Sequence, residues 1–226
     1  MDILVAGGHG KVALRLLGLL AGQGHTARGL IRSPGQAADL TALGAVPVIG
    51  DLENDETLNA YVQGADAVVF AAGAGPGSGA ARKDTVDRAA AVLLADAAER
   101  AGVRRYVLVS SMGVESVADG ARPEGLDDVF VVYLQAKLAA ERDVLARSAL
   151  RTTVLRPGSL TDDPGTGLVA LDRSADQGRV PRDDVAAVLV GLIDADLDGA
   201  VLELVGGATP VAEAVANVTV RPAGRG

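Results

Sequence analysis

The chain has 226 residues, with 21 basic against 29 acidic side chains and a net charge of −8. That length suits one domain, and the acidic balance repels phosphate backbones and anionic lipid, which excludes nucleic acid and membranes as default partners. The absence of cysteine excludes disulfides, thiolate catalysis and Cys-ligated zinc, and the only two histidines, His9 and His25, give no basis for a histidine metal site.

In chain order, short apolar runs alternate with helical stretches. A first strand at Ile3 to Ala6 ends in Gly7-Gly8, and a helix follows from Lys11 to Ala21. Thr26 to Ile31 and Ala45 to Ile49 read as strands flanking a short helix at Gln36 to Leu43. A short helix at Glu56 to Val62, a strand at Ala67 to Ala71 and a long Ala-rich helix at Thr85 to Ala101 come next. A fifth strand, Arg105 to Val109, ends in Ser110-Ser111, and a second long helix spans Val131 to Ser148. Thr152 to Leu155 is a sixth strand, Asp183 to Ile193 a helix and Val201 to Val205 a last strand. Arg221 to Gly226 reads as a frayed tail.

Runs that lack strict polar alternation predict strands buried on both faces, and the intervening helices make the sheet parallel. The expected fold is a single α/β domain, a doubly wound parallel sheet of Rossmann type over residues 1–226. Ligands of such sheets bind beyond the carboxyl ends of the strands. The loops there are Gly7 to Gly10, Ala72 to Gly79, Ser110 to Gly113 and Pro157 to Thr161. No segment reads as a secretion signal or a membrane span, which points to the cytoplasm.

Gly7-Gly8-His9-Gly10-Lys11-Val12-Ala13 joins the first strand to the first helix with small residues at Gly7, Gly10 and Ala13. This G-x-x-G-x-x-A spacing lets the chain turn tightly and a pyrophosphate approach the helix amides. Residues 3–38 contain Lys11, Arg15, Arg28 and Arg32 and no acid. A ribose-binding carboxylate at the end of the second strand is therefore missing; Arg32, followed by Ser33, stands there instead. A guanidinium clasps a 2′-phosphate, so NADP is expected over NAD, with Arg28 a weaker second partner. Asp51, before Leu52, suits either adenine contact or capping of the next turn. Ala71-Ala72-Gly73 would let a ribose and phosphates pass close to backbone.

Tyr133 and Lys137 stand four residues apart on one helix face, in a chain with three tyrosines and three lysines. An ammonium beside a phenol favours the phenolate and suits it to proton transfer near neutral pH. Ser111, or failing it Ser110, could orient a substrate carbonyl.

Together these blocks resemble the short-chain dehydrogenase/reductase superfamily, most closely its small atypical, epimerase/dehydratase-like NAD(P)-binding members. The resemblance runs through Val5 to Ala13, Val68 to Gly75, Val107 to Ser111, Tyr133 to Lys137, Leu155 to Thr161, Arg179 to Val185 and Leu202 to Pro210. It implies that Tyr133 is the acid/base, that Lys137 holds the nicotinamide ribose and tunes Tyr133, and that Ser111 binds the reacting oxygen. It also implies that the backbone after Arg156-Pro157, with Gly158 and Leu160, meets the carboxamide. Asp87 matches an acidic position in the similar proteins, without an assigned role. His9 and Ala13 depart from the usual loop.

The substrate side would be built from about 112–130 and 159–180, with Ala74 to Ala81 closing it and Met112, Val114 and Phe130 as apolar lining. Asp162-Asp163 reads as a solvated loop rather than as a rim of the pocket. Little chain follows Arg156, which disfavours a nucleotide sugar and suggests a small, largely apolar carbonyl compound. The expected activity is NADP-dependent hydride transfer to or from that carbonyl. The alternatives are a redox-sensing cofactor binder without turnover and an epimerase or dehydratase that uses the cofactor transiently. The long helices at 85–101 and 131–148 could pair two copies as a homodimer.

Overall fold

The computed structural model describes residues 1–73, 75, 79 and 84–220. Most of the expected Ala74 to Ala81 wall and the tail after Val220 lie outside them.

The first strand, β1 (Asp2–Ala6), shows why a sheet buried on both faces forms: Ile3 and Val5 enter one core cluster, Leu4 and Ala6 the other. It is flanked by β2 (Thr26–Ile31) and β4 (Ala67–Phe70), both parallel to it, with Ile3 opposite Ala27 and Ala67. β3 (Val46–Ile49) pairs outside β2. On the other side follow β5 (Arg105–Val109), β6 (Arg151–Pro157) and β10 (Ala200–Gly206), all parallel. β8 (Leu168–Asp172) runs antiparallel to β10 and carries the short β11 (Thr209–Pro210). The order is β11-β8-β10-β6-β5-β4-β1-β2-β3. The chain reverses its direction of growth between β1 and β4, and a crevice opens at such a switch point.

One face is covered by α1 (Lys11–Gly22), α2 (Ala37–Ala42), α6 (Arg182–Ala195) and α7 (Val211–Val220), through residues such as Leu16, Leu17, Leu40, Val188, Leu189 and Val215. The other is covered by α3 (Asp55–Val62), α4 (Ala90–Ala101) and α5 (Asp128–Leu145), through Leu58, Leu94, Ala98 and Val144. The result is a single doubly wound α/β domain, as the alternation predicts. No described helix is long and apolar enough to cross a membrane.

Three expectations are corrected. Val201 to Val205 is not the last strand, because β11 follows it. The segment after Arg156 is also richer than its sequence suggests: β7 (Ser159–Thr161) pairs with β9 (Arg179–Pro181) in a second small sheet, and β8 joins the main one. These strands have three to five residues, too short to show a period. The second long helix begins at Asp128 rather than Val131, because the Asp127 carboxylate accepts the Phe130 N–H at 2.9 Å and caps it.

Candidate active site

Beyond β1 the chain turns at Gly7 with φ +78°, a conformation that strains any side chain. A Cβ there would lie 2.6 Å from the Ala72 Cα, so the loops after β1 and β4 meet backbone to backbone. Gly8 donates its N–H to the Leu30 carbonyl at 2.9 Å, closing the loop onto β2. Gly10 starts α1 with no side-chain cap and no acid in the first turn. The first amides of α1 have no intrahelical acceptor, so the positive end of the helix is left open to an anion. The cradle admits no side chain and its donors are unspent, which fits a dinucleotide pyrophosphate.

Two cavities adjoin this loop. The first, about 370 Å³, is lined by Gly7, His9, Gly10, Arg32, Ser33, Asp51, Leu52 and Ala71 to Gly73, with Gln36 and Glu53 added. The Asp51 carboxylate accepts the Glu53 N–H at 3.0 Å, so it caps the next turn while standing on the cavity wall. His9 Nε2 lies 2.7 Å from an Asp39 carboxylate oxygen. Most of the basic stretch is neutralised from elsewhere in the chain. Lys11 meets Asp162, Arg15 meets Asp183, and Arg28 is held by Asp2 at 2.6 Å and the Tyr61 carbonyl at 2.7 Å. Arg28 is thus committed elsewhere, while Arg32 makes no hydrogen bond or ion pair among the described residues.

The second cavity, about 970 Å³, shares His9, Gly10 and Ala71 to Gly73 with the first, so the two form one groove along the carboxyl edge of the sheet. Lys11, Val12, Ser110, Tyr133, Lys137, Pro157 and Leu160 line it. On its floor Lys137 Nζ donates to the Val109 carbonyl at 3.0 Å and the Ala72 carbonyl at 3.5 Å, and lies 3.3 Å from Asp87 Oδ1. The Lys137 and Asp87 side chains are 5% and 0% exposed. Asp87 comes from a π-helical turn, Asp84–Ala89, that leads into α4; such widened turns recur at functional sites. Tyr133 stacks on Phe130 with centroids 5.6 Å apart, and Lys137 Nζ is 5.9 Å from the Tyr133 ring centre. The Ser110 hydroxyl is buried on this cavity with no hydrogen-bond partner among the described residues.

Some expected site residues fall outside the lining. Ser111 donates its hydroxyl to the Met112 carbonyl at 3.0 Å and reaches neither cavity. Gly8 and Gly158 have packing roles: a Cβ at Gly158 would collide with the Gly178 carbonyl. Met112 and Val114 are buried away from the cavity, Val114 in a cluster with Val117, Val131, Leu134 and Leu138. Of the expected apolar lining only Phe130 remains, and Val129 joins it.

The helix that carries Tyr133 and Lys137 is fixed one turn further on. Arg156 of β6 donates to both oxygens of Glu141, at 3.1 Å and 2.6 Å, and to Glu115 at 2.6 Å. Burial opposes the Arg156 charge, but the two carboxylates outweigh it and hold its pKa above the ordinary value. Glu141 is 1% exposed, so the pair pins α5 to the sheet from within. Tyr133, Lys137 and Glu141 follow at intervals of four along one helix face. The Arg156 contact and the lining role of Arg182 have no local sequence signal, since each depends on elements far apart in the chain.

Residues 7–196 match the profile of the family described as NAD(P)H-binding. A Bacillus subtilis protein described as an uncharacterized sugar epimerase, YhfK, is 32% identical over 95% of this chain and 99% of its own. A Bacillus halodurans structure carrying the provisional name NAD-dependent epimerase/dehydratase superposes with a TM-score of 0.87 at 34% identity, covering 96% of this chain and 99% of that one. ChuY of Escherichia coli O157:H7, titled an anaerobilin reductase, superposes with a TM-score of 0.77 at 27% identity, over 91% and 97% of the two chains.

Proposed function

The chain belongs to the NAD(P)H-binding family, and we propose that it is an NADP-dependent oxidoreductase of the short-chain dehydrogenase type, acting on a carbonyl or alcohol. The observation that carries this reading is the second cavity, which brings Tyr133, Lys137, Asp87 and the unpartnered Ser110 hydroxyl to one groove with the glycine loop.

When bound, NADPH supplies a hydride. The residues of the chain supply the rest. The α1 amides receive the pyrophosphate. Arg32 and Ser33 line the first cavity, and the uncommitted guanidinium, suited to clasp a 2′-phosphate, supports a preference for NADP. Ser110, rather than Ser111, donates to the substrate oxygen. Tyr133 gives a proton to that oxygen on reduction and removes it on oxidation. Lys137, locked by two carbonyls and Asp87, keeps a positive charge beneath that exchange. Val129, Phe130 and Leu160 offer an apolar wall to the substrate.

The test is NADPH consumption over a panel of aldehydes and ketones. Tyr133→Phe should lower kcat by about 10²- to 10⁴-fold, the range for loss of a positioned acid, with NADPH affinity retained. Turnover that survives the change would sink the assignment of Tyr133. The description of the Bacillus subtilis relative favours epimerisation as a second reading. Product formation without net NADPH loss would identify it.

A further inference from the structure

We propose that Arg182, seconded by Lys11, forms an anion subsite on the cavity that holds Tyr133, and selects carbonyl substrates with an apolar body and a carboxylate set apart from the reacting carbon. The inference rests on the oxidoreductase reading for its reaction, but the subsite itself is a binding claim.

Three observations carry it. The first is the state of Arg182. Its side chain is 20% exposed and lines the cavity, and one of its five N–H donors is used, by Asp162 Oδ1 at 2.9 Å. The remaining donors have no acceptor among the described residues. A mostly buried guanidinium with unspent donors on a cavity wall calls for a planar anion.

The second is the charge balance of the lining. Lys137 is paired with Asp87, and Asp127 is spent on the first turn of α5. That leaves Lys11 and Arg182 as lining cations that no lining acid answers. They share one carboxylate, Asp162, which is itself not on the lining and gives one oxygen to each, at 2.5 Å and 2.9 Å. Arg15 leans on the same group at 4.0 Å and is bonded to Asp183. Three cations therefore share two carboxylates. The pair already accommodates a carboxylate of the chain. The Lys11 ammonium, with Arg182 and Arg15 adding to it, holds that carboxyl below the ordinary carboxylate range.

The third is the opposite chemistry of the remaining lining. Val129, Phe130 and Leu160 are 43%, 40% and 37% exposed, all on this cavity. Apolar surface left open beside unspent donors suits one amphipathic ligand better than a neutral or a doubly charged one.

The pyrophosphate of the cofactor is the other possible source of the anion, because Lys11 begins α1. The experiment separates the two. The probes are 4-(4-acetylphenyl)butanoate and its methyl ester, assayed as substrates with NADPH, and 4-phenylbutyrate, titrated into the NADP-loaded protein by calorimetry. The acid should exceed the ester in kcat/KM by about 10- to 100-fold, the range of a charge-assisted hydrogen bond at a buried partner. Arg182→Leu should bring that ratio to about 1 and abolish phenylbutyrate binding, and Arg182→Lys should keep part of both. Asp162→Asn should tighten phenylbutyrate binding, because it removes the competing carboxylate; loss of a merely structural bridge would not.

An acid-to-ester ratio of 1 in the native protein, or phenylbutyrate binding unchanged by Arg182→Leu, overturns the subsite. So does an Arg182→Leu protein whose loss is confined to NADPH affinity, since the anion is then the pyrophosphate. No turnover of either probe, with phenylbutyrate binding lost in Arg182→Leu, keeps the subsite and counts against the reductase reading instead.

Discussion

Lys137 and Asp87 meet on the cavity floor with side chains 5% and 0% exposed, while Lys11 and Asp162 meet at its edge with side chains 64% and 51% exposed. Both are lysine–aspartate pairs within a few residues of the same groove, yet water decides their roles. Desolvation makes a buried charge expensive unless its partners are complete, so the inner pair persists only with the Val109 and Ala72 carbonyls saturating the ammonium. The edge pair is solvated and screened, contributes little to stability and is free to exchange partners. The inner charges, with Arg156 and Glu141 behind them, are therefore fixtures that hold α5 in register. The outer ones are available to a ligand.

The sharpest way to break this comparison is to remove one inner charge. Lys137→Met strips Asp87 of its ammonium and should cost about 3–5 kcal/mol, the usual penalty for halving a buried pair. The Asp87→Leu, Lys137→Met double substitution should recover much of that loss, because no charge is then left buried. Urea denaturation midpoints with matched slopes check both. Asp162→Asn at the edge should leave the midpoint where it is. If the edge change destabilises the fold as much as Lys137→Met does, exposure is not what separates the pairs.

Arg32 sharpens the comparison at the far end of the groove, as a cation without a partner among the described residues. Arg32→Ala should raise the NADPH dissociation constant by about 10- to 100-fold and leave that for NADH unchanged, the equivalent of ~1.5–3 kcal/mol for hydrogen bonds to a charged group. Fluorescence titration with the two cofactors gives the ratio. A ratio that does not move would end the assignment of Arg32 to a 2′-phosphate.

The groove was legible wherever function depends on local chain geometry. Gly7 to Ala13 announces a strand, a turn and an open helix end within seven residues, and Tyr133 with Lys137 needs only helical periodicity. Ser110 against Ser111 was not legible. Adjacent residues at a strand end point to opposite faces, and which one meets the cavity depends on where β5 stops relative to β6. The same limit hid the segment after Arg156. Its short strands are held by pairing with distant partners, β7 with β9 and β8 with β10, so no stretch of it carries its own signal. Asp162 reads from sequence as part of a solvated loop, because its cations come from α1 and the start of α6, contacts that only the folded chain brings together.

The smallest expected effect lies between these extremes, at Asp196, whose side chain is 28% exposed. It ends α6 at φ +48° and its carboxylate meets Arg105 Nε at 3.0 Å and Arg151 Nε at 3.2 Å. Partial burial works to raise its pKa, but the two guanidinium groups prevail and hold it below the ordinary carboxylate value. The folded state therefore binds fewer protons than the unfolded chain between the two pKa values, and stability rises with pH there. The contribution is complete above the unfolded value, roughly 3.9, and is lost as pH falls through the lower folded one. Asp196→Asn keeps a residue that tolerates the left-handed conformation while removing the charge. It should cost about 0.2–1 kcal/mol at pH 7, the range of a partly exposed pair. The difference from the native protein should shrink as the pH falls through the lowered folded value, because the native side chain then loses its charge as well. Thermal midpoints taken across that range check it. A difference that persists undiminished in acid would mean that Asp196 acts through its backbone turn and its carbonyl, which accepts Arg151 Nη2 at 2.6 Å, and not through its charge.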